Sequence, residues 1–264
     1  MGENRILINT KNANMQILNS SEYINEKLDI KPVTKGMLAD IRKVPQESKK
    51  SAELIRLCNL KYNGITKRYD GEVVKISDEY LVDGKFPFKF GEIKRTFDCS
   101  NCYTLKTLEG APLHTTRFVC CDCPKLKTLD GAPETVDGLF DCSNCINLES
   151  FSGAPKSVGN FLATSTNVKT LEGAPQRTDG FFDCSYSHSL ETTKGAPKYV
   201  GGDFDLSKSE KLEKIEDCPS YVGSEFNLDG CDSLSLTRDD LEHIQKALHG
   251  GRLISASGTS INVK

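Results

Sequence analysis

The 264-residue sequence lacks the features that mark several common functional classes. Its formal net charge is only −3, and no segment forms the basic stripe of a nucleic-acid-binding protein, so we expect no nucleic-acid partner. Its apolar runs are only a few residues long, which argues against a membrane-spanning helix and a membrane partner. No apolar signal-peptide core follows the first residues, so we expect a cytoplasmic location.

Signatures of catalysis are also lacking. The four histidines do not combine with serine, cysteine or aspartate at a spacing that would suit nucleophilic catalysis. No Gly-x-x-x-x-Gly-Lys-Ser/Thr phosphate loop occurs. We therefore predict no catalytic residues, no cofactor and no enzymatic activity. The alternative is an effector or enzyme whose activity lies in residues 1–90, where no motif is recognisable, with the rest of the chain used for targeting.

An internal repeat is the strongest feature that the sequence does contain. The tripeptide Gly-Ala-Pro occurs five times, a degenerate sixth copy is Asp217-Cys218-Pro219, and the successive spacings are 21, 22, 20, 22 and 22 residues. One such unit has too few apolar groups to fold alone, so stacking of units must supply the core. A phenylalanine column runs in phase with the tripeptide and is the predicted repeat core: Phe97, Phe118, Phe140, Phe161, Phe182, Phe204 and Phe226.

The chemistry of each unit is that of a coil built from short strands. Phe140 and Cys142 alternate along the chain, so both side chains face the same side of a strand. Gly153 and Gly159 mark corners at which the backbone needs a positive φ or a close approach. We predict a mainly β repeat solenoid, similar to leucine-rich repeats, with coils of 20–22 residues.

The repeat resembles a known class of sequence. The unit from Phe140 to Gly159 is similar to BspA-like leucine-rich repeats, and closer still to the "LEGAP" repeats found in proteins of tailed bacteriophages and some bacteria. Residues 108–112 and 171–175 match that signature in full, and the resemblance covers about residues 91–234. It implies protein–protein recognition. For a phage-encoded chain it implies an adaptor or inhibitor that binds a host protein, such as a defence component, in the host cytoplasm.

The segment before the repeats, residues 1–90, is predicted to be a small α/β N-terminal module that also caps the solenoid. The apolar residues Ile6 to Ile8 favour a strand, and residues 48–66 have helical apolar spacing. Two further strands are predicted at Val73 to Ile76 and at Tyr80 to Val82.

The segment after the solenoid (residues 91–234) is predicted to be a C-terminal cap over residues 235–264. Thr237 followed three residues later by Asp240 is a capping box that begins a helix. One or two strands are expected between Leu253 and Val263.

Eight of the eleven cysteines fall into two repeat columns. Three Cys-x-x-Cys pairs are compatible with zinc, and a disulfide framework is a second possibility. A third is that cysteine packs as a small buried residue. Ala163 and Leu206 replace cysteine in the first column, and Thr166 and Ser187 in the second, which favours packing and no metal. The columns hold Cys99, Cys120, Cys142 and Cys184, and Cys102, Cys123, Cys145 and Cys231.

Two surface columns lean acidic, one before the tripeptide glycine and one after the phenylalanine. Like charges about 5 Å apart repel, so such columns suggest a docking face for a basic protein partner. The alternative is a solvated face without a partner. We predict a protein-interaction module, and the sequence does not indicate its oligomeric state. The candidate partner-binding residues are Glu109, Asp130, Glu172, Glu216, Asp141 and Asp183.

Overall fold

The chain divides into two compact units in a computed structural model, Met1–Ser48 and Lys49–Lys264. In the first unit, strands β1 (Arg5–Ile8) and β2 (Gln16–Asn19) pair antiparallel. The strand expected at Ile6 to Ile8 is therefore confirmed. The structure describes residues 5–8, 16–19, 49–249, 251–254 and 260–262.

The second unit is a β-solenoid of about seven turns in the described part of the chain, which confirms the predicted mainly β repeat fold. Successive coils pair through parallel strands in register, so that Phe118 pairs with Phe140 and Phe140 with Phe161. The ordered elements are α1 (Lys49–Leu57), β3 (Lys61–Asn63), β4 (Arg68–Lys75), β5 (Phe90–Asp98), β6 (His114–Val119), β7 (Thr135–Asp141), β8 (Ser157–Leu162), β9 (Arg177–Thr178), β10 (Phe182–Asp183), β11 (Tyr199–Val200), β12 (Phe204–Asp205), β13 (Tyr221–Val222), β14 (Glu225–Asn227), α2 (Arg238–Ala247), β15 (Arg252–Ile254) and β16 (Ser260–Asn262).

The phenylalanine column forms one side of the core. From Phe97 to Phe204 consecutive ring centroids lie 5.2–5.5 Å apart, with ring planes 2–28° from parallel. Phe226 ends the column with an edge-on contact, 4.8 Å from Phe204 at 75°. All seven side chains are fully buried. The parallel strand pairs that carry these phenylalanines form the first ladder of the solenoid. Val74 and Leu253 extend it, because they pair with the first and last phenylalanine.

A second ladder of parallel strand pairs precedes the first one in each coil, and a corner of the chain separates the two. In β5 to β8 one strand passes through both ladders with an irregularity between them, whereas the later coils use two short strands, such as β9 and β10. A leucine-rich bend closes the third side of the core, with Leu126 and Leu148 among its fully buried residues. The second ladder brings the following residues into line: Ile93, Thr115, Val136, Val158, Thr178, Val200 and Val222.

Glycine is required at the two predicted corners for different reasons. Gly153 has a φ of +90°, and a Cβ there would lie 2.5 Å from Cα of Asp130 in the preceding coil. Gly159 has no such φ, but its Cβ would lie 2.5 Å from the carbonyl oxygen of Gly138. Both expectations, a positive φ at one corner and a close approach at the other, are confirmed.

The helix predicted over residues 48–66 is right only in its first half. Helix α1 ends at Leu57, and Asn59 then adopts a left-handed conformation with a φ of 49°. This turns the chain back into β3, so Leu60 is buried beside a strand and not on a helix.

The strand predicted at Tyr80 to Val82 is wrong. Asp78–Tyr80 forms a single 3₁₀ turn instead, and the carboxylate of Asp78 accepts hydrogen bonds from the backbone amides of Tyr103 and Thr104, at 2.9 Å each. Strand β4 contains most of the other predicted strand and pairs parallel to β5. Residues 49–90 therefore belong to the same compact unit as the repeats.

The capping box predicted before α2 is confirmed. The hydroxyl oxygen of Thr237 accepts from the amide of Asp240 at 3.2 Å, and the Asp240 carboxylate accepts from the amide of Thr237 at 2.8 Å. After the helix, β15 adds to the ladder in parallel with β14, and β16 then pairs antiparallel with β15. Within the described residues, neither helix has the length and apolarity needed to cross a bilayer.

Replacing Phe140 by alanine should lower the free energy of unfolding by about 3–5 kcal/mol, because a ring stacked on both sides leaves a cavity that its neighbours cannot fill. Urea denaturation followed by circular dichroism measures this. As the matched control, Ile146→Ala in the same coil removes a side chain that is 60% exposed and should change stability by less than about 0.5 kcal/mol. Equal effects of the two substitutions would contradict the stacked core.

Gly153→Ala should lower the free energy of unfolding by about 1–3 kcal/mol or more. The alanine would have to adopt a positive φ, and its Cβ would clash with the backbone of the preceding coil. Gly64→Ala is the control, because no heavy atom lies within 4 Å of the added Cβ. Thermal unfolding of both variants tests the difference, and a Gly153→Ala protein as stable as Gly64→Ala would show that the corner does not require glycine.

Candidate functional site

The acidic column before the tripeptide glycine is paired with lysines. Glu172 lies 2.8 Å from Nζ of Lys194, which occupies the same column one coil later. Glu216 lies 2.9 Å from Nζ of Lys214, and the hydrogen bond from that lysine lowers the pKa of the Glu216 carboxyl below its usual value. These carboxylates are exposed, but each has a cation beside it.

The other two members of this column are also partnered. Glu109 lies 3.8 Å from Nζ of Lys85 in the preceding coil. The carboxylate of Asp130 accepts a hydrogen bond of 2.9 Å from the hydroxyl of Ser152 in the next coil. The mutual repulsion expected from the sequence is therefore offset, and the column is a mixed polar surface.

The acidic residues that follow the phenylalanines stabilise the turn at the end of each strand. Asp141 and Asp183 accept hydrogen bonds from the backbone amides of Ser143 and Ser185, at 3.0 and 2.9 Å, and so hold the turn that leaves the strand. Both carboxylates are half-buried, and burial raises the pKa of Asp183. The six candidate residues thus lie in two separate columns and do not form one cluster.

The second cysteine column bonds each coil to the one before it. Sγ of Cys123 lies 3.3 Å from the carbonyl oxygen of Cys99, and Sγ of Cys145 lies 3.2 Å from that of Cys120. In two of the three coils without cysteine, the hydroxyls of Thr166 and Ser187 bond each other at 3.1 Å, whereas the buried hydroxyl of Ser209 in the third has no hydrogen-bond partner among the described residues. A small side chain with a weakly polar tip is what this position needs, so the geometry favours packing.

Burial raises the pKa of most thiols in the two columns. Burial raises the pKa of Cys99 and Cys142 well above the usual value, and raises the pKa of Cys102 to about 12. All eleven cysteines lie within the described residues, and all have free thiols. Among those residues, no three histidine, cysteine or acidic side chains converge in a way that could hold a metal ion.

A row of stacked planar side chains lies on the surface at the second ladder. The guanidinium of Arg177 lies 3.9 Å from the ring centroid of Tyr199, and the centroids of Tyr199, Tyr221 and His249 follow at intervals of 4.6 Å. Both tyrosines are half-buried, while the arginine and histidine are exposed. We call these four residues the planar row.

Three members of the planar row have a partner on both sides, and His249 ends the row against Tyr221. Asp179 lies 2.7 Å from the Arg177 guanidinium, which fixes the first member. Each aromatic ring covers a face of the next, and such contacts are each worth about 0.5–1.5 kcal/mol. Sequence reasoning missed the row, although the repeated Tyr-Val-Gly at Tyr199 and Tyr221 is the signal that could have revealed it.

Comparison of the chain with family models, with curated proteins and with solved structures returns no match. The resemblance to BspA-like and "LEGAP" repeats therefore stays a prediction, and functional inference rests on the geometry of the solenoid surface.

We expect at most three cysteines of the folded protein to react with Ellman's reagent at mildly alkaline pH. Cys58, Cys121 and Cys218 are half-buried and within reach of the reagent, whereas the other eight are buried and closed to it. The reaction in concentrated guanidinium, where all eleven should react, is the control. Rapid reaction of more than three thiols in the folded state would count against the packing role.

Proposed function

We propose that this chain is a protein-interaction module that binds a protein partner through the outer surface of its solenoid. The observation that carries the proposal is the planar row of Arg177, Tyr199, Tyr221 and His249. Tyrosine and arginine are the residue types in which interface energy concentrates. Because the row is already ordered by stacking, binding would cost little additional side-chain entropy.

The exposed acidic column contributes a polar surface to the same module. Glu109, Asp130, Glu172 and Glu216 each have an internal partner, so their contribution is to selectivity and association rate more than to affinity. A basic protein partner suits this column. Following the resemblance to phage repeats, the partner of a phage-encoded chain would be a host protein, such as a defence component in the host cytoplasm.

The flanking segments of the proposed module act as caps. A solenoid with an open end presents unpaired strand groups that invite edge-to-edge association. At the C-terminal end β16 reverses direction against β15, and α2 follows the last full coil. At the N-terminal end β3 pairs antiparallel with β4. We propose that these reversals terminate the parallel stack and keep the module from extending by self-association.

The test is affinity purification of the tagged chain from its natural host with quantitative mass spectrometry. The double variant Tyr199→Ala/Tyr221→Ala should reduce recovery of specific partners by about tenfold or more, as expected for loss of central interface residues. Tyr103→Ala, which alters a tyrosine that is 58% exposed in another column, should not.

A second variant separates the two surfaces. Charge reversal at Glu109, Asp130 and Glu172 should weaken recovery of a basic partner. If the triple variant recovers the wild-type partners in full, the acidic column is not a docking face. If the tyrosine double variant does so as well, the proposed function is wrong.

A further inference from the structure

A shallow trough runs along the corner between the two ladders, from the coil of Arg95 to that of Phe181. Its volume is about 540 Å³, within the range of ligand-binding clefts. Gly138 contributes to its lining, and a Cβ there would lie 2.8 Å from the carbonyl oxygen of Thr116, so the position has no room for a side chain. The trough is lined by Arg95, Thr96, Thr116, Arg117, Gly138, Leu139, Asn160 and Phe181.

The trough holds two arginines without a counter-ion. Arg95 and Arg117 are exposed, and no carboxylate within the described residues forms an ion pair with either. Two nearby basic residues do have acidic partners: Lys94 lies 3.1 Å from Glu72, and His114 lies 3.4 Å from Asp137. Positive charge at this end of the trough is therefore available to a ligand.

The two arginines lie on consecutive coils. Thr96, the residue after Arg95, pairs with Arg117 in the ladder, which places the two side chains diagonally across one ladder step. Coils in such a ladder are about 4.8 Å apart. That spacing lets both guanidinium groups approach a single carboxylate, for which arginine's planar donors are well matched.

The other end of the trough is apolar. Leu139 pairs with Arg117 in the next ladder step, and Asn160 pairs with Leu139 in the one after it. The side-chain oxygen of Asn160 accepts from the amide of Phe181 at 3.0 Å, which fixes the rim there. Leu139 and Phe181 are both half-buried, so apolar surface remains for a ligand to cover.

We propose that this trough binds an extended peptide segment of a partner protein, in which a glutamate or aspartate is followed by an apolar side chain. The carboxylate lies against Arg95 and Arg117, and the apolar side chain covers Leu139 and Phe181. From the coil of Arg95 to that of Phe181 is four ladder steps, roughly 19 Å, which an extended peptide spans with about six residues.

An acidic peptide fits the trough better than a nucleic acid does. Two arginines and a chain with a net charge of −3 give little of the phosphate neutralisation on which nucleic-acid affinity depends. Half of the trough is apolar, which suits an aliphatic side chain. The inference rests on the proposed protein-binding function, but none of its residues belongs to the planar row.

The experiment measures fluorescence anisotropy of a fluorescein-labelled peptide of about six to eight alternating glutamate and leucine residues, titrated with the full chain. We expect saturable binding that weakens as salt is added. Arg95→Gln and Arg117→Gln should each raise the Kd by about tenfold. Arg56→Gln is the matched control, because Arg56 is an exposed arginine of α1 outside the trough.

Three results would overturn the proposal: no binding to the wild-type chain, unchanged binding to both trough variants, or equal binding of a lysine–leucine peptide. A labelled oligothymidylate that binds more tightly than the peptide and loses affinity in the same two variants would instead assign the trough to nucleic acid. Thermal unfolding verifies that the variants fold. If the peptide fails while Tyr199→Ala/Tyr221→Ala still loses its partners, only the trough proposal fails.

Discussion

Parallel, in-register pairing of successive coils is the constraint on which the rest of the molecule depends. It places each side chain one ladder step from its equivalent, so a column must be filled by residues that tolerate a copy of themselves at that distance. Phenylalanine satisfies this by stacking, with ring centroids 5.2–5.5 Å apart through most of the column. The same step leaves no room for a Cβ at Gly159, where the carbonyl of Gly138 lies too close.

The polar columns obey the same rule by different means. A purely acidic column would repel itself, and Lys194 breaks the run beside Glu172. Cysteine thiols reach a carbonyl one coil back, and where cysteine is absent two hydroxyls bond across the step. At most of these positions the side chain interacts with the neighbouring coil, which explains why the repeat retains composition without retaining identity.

Much of this architecture could be predicted because a fixed repeat period reports directly on stacking. The phenylalanine column and the capping box at Thr237 follow from sequence alone. The end of α1 is predicted too late because the apolar spacing continues through Leu60 and Ile65, although asparagine, the residue type at left-handed position 59, commonly ends helices. The trough is invisible in the repeat alignment for another reason: Arg95 and Arg117 occupy different repeat positions and become neighbours only on the diagonal of the ladder.

Each coil of the repeat bonds chiefly to the coils on either side. The number of coils can therefore change without any change in the contacts within a coil. Unequal recombination that inserts or deletes a whole unit would preserve every interior contact type while lengthening or shortening the solenoid. The length of the surface that the solenoid presents is thus a property that gene-level duplication can change in steps of one ladder spacing, without redesign of the interior.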